Sequence, residues 1–118
     1  MMKIKRVYDT PEFQDGLRVL VDRLWPRGLS KEQARVDWWV KEVAPSDELR
    51  RWFGHDPARW PEFRARYLRE LETKGPLLAE LAERARQETV TLLYAARDDL
   101  HNNALVLREL LGEKESII

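Results

Sequence analysis

Cysteine is missing from the sequence altogether. Its absence excludes disulfides, thiolate metal sites and a cysteine nucleophile. Histidine is scarce: His55 and His101 are the two present, 46 positions apart. That is no metal-ligand spacing, so a bound metal is not expected. No apolar run approaches the roughly 20 residues of a membrane span. The basic start, from Met1 to Phe13, lacks the apolar core of a secretory signal. A cytoplasmic protein without membrane contact is therefore expected. Net charge is also lacking, with 21 Lys and Arg against 21 Asp and Glu. Bulk binding to nucleic acid rests on neutralising many phosphates, so that class is disfavoured. The chain has no phosphate loop, no Gly-x-Ser-x-Gly elbow and no Gly-x-Gly-x-x-Gly after a strand. No cofactor is expected.

What is present suits one globular domain. The chain has 118 residues, 43% of them hydrophobic and 36% charged. That length builds one core without staples. The reading is a single domain over residues 1–112 and a frayed tail over 113–118.

Strands and helices are marked unevenly. Lys3 to Tyr8 reads as a strand, with charge that suits an edge position. Leu17 to Leu24 holds Val19, Leu20 and Val21 and reads as a buried strand. Pro26 and Gly28 then stop it. Ser30 with Gln33 fits a capping box, and a short helix should follow. Val36 to Val43 mixes β-branched and aromatic residues and reads as strand or extended chain. Ser46 caps a helix with Asp47 and Glu48 in its first turn, where carboxylates meet the positive dipole end. Trp60, Phe63, Tyr67 and Leu71 recur at helical spacing. Gly75-Pro76 separates that helix from one carrying Leu77, Leu78, Leu81 and Ala85. Thr89 to Ala96 is the clearest strand, apolar on both faces, and a last helix covers Ala104 to Leu111.

Three or four apolar strands with helices between them predict an α/β domain. The sheet should be small and mostly parallel, with helices on both sides in a three-layer arrangement. The link between the first two strands is short for a parallel crossover, which leaves room for one antiparallel pair.

A family resemblance is carried by Val21-Asp22-Arg23-Leu24-Trp25-Pro26-Arg27-Gly28. It continues through Ala44-Pro45-Ser46 with Leu49-Arg50, then Tyr67 and Leu71. Leu92 to Ala96, Asn102 and Ala104 to Leu107 complete it. Together these residues resemble the YeaO-like family of bacterial proteins, a domain of unknown function. The resemblance runs from Lys5 to Leu111 and implies the fold, but no reaction. The chain departs from the family at Asn103, where members often carry histidine. That departure weakens any acid–base role for this position.

Ligands of open α/β sheets collect beyond the carboxyl ends of the strands. Here those ends are polar. Asp22, Arg23, Trp25 and Arg27 follow the second strand. Arg97, Asp98 and Asp99 follow the last strand, and His101 and Asn102 lead into the final helix. The ligand-binding candidates are Arg23, Trp25, Arg27, Arg97 and Asn102. The guanidinium groups offer planar, paired donors to phosphate or carboxylate. Asp22 and His101 are the candidates for proton transfer. The expected ligand is a small anion, a nucleotide or phosphorylated metabolite, with or without turnover.

Plainer readings stand beside these. Asp22 and Arg23 could form a structural ion pair, Trp25-Pro26 a packed corner, Asn102 a helix cap and His55 a surface turn. Two other functions compete. One is a protein- or nucleic-acid-binding module presenting an exposed Trp38 or Trp39 among arginines. The other is a homodimer whose arginines pair across its interface.

Overall fold

The chain alternates strands that need covering with helices that cover them. The computed structural model describes residues 1–112; the expected frayed tail lies outside the described residues. Four strands are β1 (Met2–Arg6), β2 (Leu17–Leu20), β3 (Trp38–Trp39) and β4 (Val90–Tyr94). Five helices are α1 (Lys31–Ala34), α2 (Asp47–Phe53), α3 (Trp60–Leu71), α4 (Gly75–Gln87) and α5 (Asn103–Gly112). The sheet order is β1-β4-β2-β3, and every pair is parallel. The chain is an α/β domain, as its strand pattern predicts.

Side chains alternate across the sheet, and each face has its own apolar cluster. Val19, Val21, Val90, Leu92 and Tyr94 join the larger cluster with Leu49, Phe53, Phe63, Tyr67, Leu81 and Leu107 from α2 to α5. Leu20 and Leu93 point the other way, with Val7, Ala34, Trp25, Val36 and Trp39. That second layer is thin, built from the four-residue α1 and the loops around it. β4 lies between two strands and is buried along its whole length, so its sequence carries no polar alternation.

The structure corrects three local expectations. The first link, Val7 to Gly16, does not produce an antiparallel pair. β4 lies between β1 and β2, so these strands are not neighbours and the link need not form a hairpin. A 3-10 turn at Phe13–Asp15 carries the chain back to the start of β2. The second strand ends at Leu20 rather than Leu24. One further ladder bond joins the Val21 amide to the Leu93 carbonyl at 3.1 Å, and the chain then leaves the sheet. Within 36–43 only Trp38–Trp39 is strand; Lys41–Val43 turns as 3-10 helix and drops Val40 and Val43 into the core.

Local capping explains the helix starts. The Ser30 hydroxyl accepts from the Gln33 amide at 3.1 Å, and the Gln33 side chain accepts from the Ser30 amide at 3.0 Å. The Ser46 hydroxyl accepts from the Leu49 amide and donates to the Glu70 carboxylate of α3. The cap of α2 is thereby tied to its neighbouring helix.

Candidate functional site

The carboxyl ends of β2 and β4 lie side by side, and the chain leaves both through polar loops. Asp22 locks the two exits together: its Oδ2 accepts from the Ala95 amide at 2.9 Å. Asn103, the first residue of α5, adds a second tie by donating from Nδ2 to the Val21 carbonyl at 2.9 Å. Between these loops and α2 opens a cleft of about 670 Å³. That lies within the range of roughly 300–1,000 Å³ common for small-molecule sites.

The ligand-binding and proton-transfer candidates all border this cleft: Asp22, Arg23, Trp25, Arg27, Arg97, His101 and Asn102. They differ in how far the protein already occupies them. Arg23 donates from Nε to the Pro45 carbonyl at 3.1 Å and from Nη2 to the Ala44 carbonyl at 3.3 Å. It holds the loop before α2 rather than pairing with Asp22. Trp25 donates its indole N–H to the Leu29 carbonyl at 2.7 Å and meets Trp39 edge-on at 5.4 Å. It forms the packed corner. Asn102 is only 2% exposed. Its Oδ1 caps α5 by accepting from the Leu105 amide, and its Nδ2 donates to the Asp98 carbonyl.

Arg27 and Arg97 behave differently. Both are exposed, and neither guanidinium makes a hydrogen bond or ion pair among the described residues. Arg27 is fixed through its backbone, whose carbonyl accepts from the Tyr8 hydroxyl at 2.8 Å.

His101 pairs through Nδ1 with Asp98 Oδ2 at 2.7 Å, and its ring meets that of Trp60 in a T-shaped contact at 5.4 Å. The Leu100 amide and the His101 ring pull the Asp98 carboxyl below its ordinary range. Asp22 goes the other way. Burial pushes its carboxyl up, against the opposing pull of the Ala95 amide, Asn103 and His55. Its backbone carbonyl accepts from the Trp39 indole at 2.8 Å.

Among the contributors to the cleft that sequence reasoning did not place there are Arg50, Phe53, His55 and Phe63. His55 follows Gly54, and both adopt left-handed backbone, with φ of 58° and 54°. This turn brings His55 to the same cleft as His101. The dipeptide signals a helix end, but its direction is set by how α2 packs. Phe53 and Phe63 stack with ring centroids 4.3 Å apart and line the apolar wall.

Neither Trp38 nor Trp39 is the exposed aromatic that the binding-module reading requires. Both are half-buried. Trp38 packs on the larger cluster beside Arg84, and Trp39 on the smaller one beside Lys41. Among the described residues no helix is long and apolar enough to cross a membrane.

Fold and cleft define the chain as a parallel α/β domain with a cleft, apolar on one wall and lined by charged side chains elsewhere, where two neighbouring strands end. The sequence comparisons give it a family. Residues 1–116 match the model described as the inactive DUF488-N3 subclade, and the chain belongs to that family. It is 45% identical over 113 residues to the uncharacterised protein YeaO of Escherichia coli, covering 93% of this chain and 96% of that protein. It is 44% identical over 111 residues to uncharacterised proteins of Mycobacterium bovis and Mycobacterium tuberculosis, covering 94% of this chain and 93% of each. These relatives extend the resemblance seen at residues 21–28 to a YeaO-like domain of unknown function. No solved structure matches the chain.

Proposed function

We propose that the chain binds a small anionic ligand, a nucleotide or phosphorylated metabolite, in the cleft at the carboxyl ends of its strands. One observation carries this reading. Arg27 and Arg97 come from loops about 70 positions apart, border one cleft, and have no protein anion to pair with among the described residues. Arginine side chains placed this way offer paired donors to phosphate. His55, His101 and Arg50 add further nitrogen donors around the same space.

Binding without turnover is the favoured form. The subclade is described as inactive. The Asp98–His101 pair lies in the loop before α5, where its hydrogen bonds shape the turn that Asn102 caps. Asp22 is tied to the Ala95 amide.

Thermal unfolding with inorganic phosphate, pyrophosphate and nucleoside phosphates tests the proposal. A ligand at 100 times its Kd should stabilise the fold by about 2.7 kcal/mol. The shift should shrink as salt rises, because the arginines are exposed. Arg27→Ala and Arg97→Ala should each weaken binding at least about tenfold. If no anion stabilises the protein, or both variants bind as the parent does, the proposal fails.

A further inference from the structure

A carboxylate inside an anion site limits what can bind there. Asp22 borders the cleft with Arg27 and Arg97; it makes no salt bridge among the described residues, and Asn103 and His55 also draw on its carboxylate. One of its oxygens accepts from the Ala95 amide at 2.9 Å. A carboxylate has about four lone-pair sites, so acceptor capacity remains for whatever fills the cleft. A bare phosphate beside Asp22 would meet like charge in a half-buried setting, where that repulsion is stronger than in water.

The ligand that satisfies both groups has two ends. One is an anion for the arginines; the other carries N–H donors for Asp22. Its middle must suit an apolar wall. Phe53 and Phe63, a stacked and largely buried pair, contribute to that wall, and Pro45 also lines the cleft. Flat rings suit such surfaces. The volume of about 670 Å³ exceeds what a bare anion would occupy and is of the size used by small organic ligands.

We propose that the cleft recognises a nucleoside monophosphate whose base presents paired N–H donors, as guanine does, with the base edge on Asp22 and the phosphate at Arg27 and Arg97. This rests on the anion reading above. Asp22 then sets specificity, because a buried acceptor left without a donor disfavours the wrong base.

Isothermal titration of the purified protein with GMP, AMP, ribose 5-phosphate and inorganic phosphate separates the two claims. GMP should bind about tenfold or more tighter than AMP, which lacks the donor pair. In Asp22→Asn the amide oxygen still accepts from Ala95, while the amide N–H matches the extra carbonyl of xanthine. The preference should therefore move from GMP toward XMP. The parent's GMP-to-AMP ratio needs no variant, so the proposal is testable even if Asp22→Asn fails to fold. Equal affinity for GMP, AMP and ribose 5-phosphate overturns the base recognition and leaves the anion reading standing. Absence of binding by all four removes both.

Discussion

At the start of β2, Asp15, Arg18 and Lys5 answer one another; where β2 and β4 end, Asp22, Arg27 and Arg97 do not. Asp15 and Arg18 are 5% and 4% exposed. Arg18 Nη1 lies 2.5 Å from Asp15 Oδ2, and Lys5 Nζ lies 3.1 Å from Asp15 Oδ1. The Glu12 amide donates to the same carboxylate, and Thr91 donates to the Asp15 carbonyl. The rest of the Arg18 fork reaches the carbonyls of Ala34 and Arg35. These contacts hold the β1–β2 link, β2, β4 and the end of α1 together. Charges that are saturated by the protein serve the fold. Charges left open beside a cavity are those a ligand can use.

The largest expected effect breaks the saturated side. Asp15→Ala leaves Arg18 buried without its partner, and removing one member of a buried pair costs roughly 3–5 kcal/mol. Urea denaturation at neutral pH reads the loss; a change under about 1 kcal/mol would show that the cluster is not structural. Its pH dependence has a definite sign. Burial alone would raise the Asp15 carboxyl, but the Glu12 amide, Lys5 and Arg18 outweigh burial and hold it below its ordinary value. The stabilisation is complete above the unfolded pKa of about 3.9 and is lost as pH falls through the lower folded value. Asp15→Ala should lack that acid-sensitive component.

The Asp15 cluster was not legible in the sequence, because its partners come from three chain segments and Asp15 itself lies in a 3-10 turn of three residues. The strands were legible where burial suppresses polar alternation, as in β4, and the caps where a motif is local, as at Ser30. The cleft was half legible. Residues following β2 and β4 could be placed at strand ends from hydrophobic pattern alone. Arg50, His55 and Phe63 reach it through the packing of α2 and α3, which no local pattern encodes. Nor could sequence tell which polar residues the fold would occupy. Arg23 and Arg27 stand four positions apart, yet one is bound to two carbonyls and the other is open.

Asn102 sharpens the distinction, with a smaller effect. It borders the cleft but belongs with the saturated groups, since both ends of its amide are bonded within the loop and helix. Asn102→Ala should cost about 1 kcal/mol as a lost cap. The loss should be the same with and without saturating phosphate if Asn102 only shapes the loop. A loss that grows with ligand present would make it a contact residue.

The smallest expected effect on stability has the opposite sign and comes from the open side. Burial raises the Asp22 carboxyl above its ordinary value despite the pull of the Ala95 amide, Asn103 and His55. Ionised Asp22 therefore works against folding without ligand. Its favourable contribution is complete below the unfolded pKa of about 3.9 and is lost as pH rises through the higher folded value. Asp22→Asn keeps an oxygen for the Ala95 amide and removes the charge. At neutral pH the variant should unfold at a higher temperature than the parent, and the difference should vanish as pH falls below the ordinary carboxylate range. A variant less stable than the parent at neutral pH would mean that ionised Asp22 is already compensated by the protein. The carboxyl end would then be another saturated cluster, with no acceptor in reserve for a ligand.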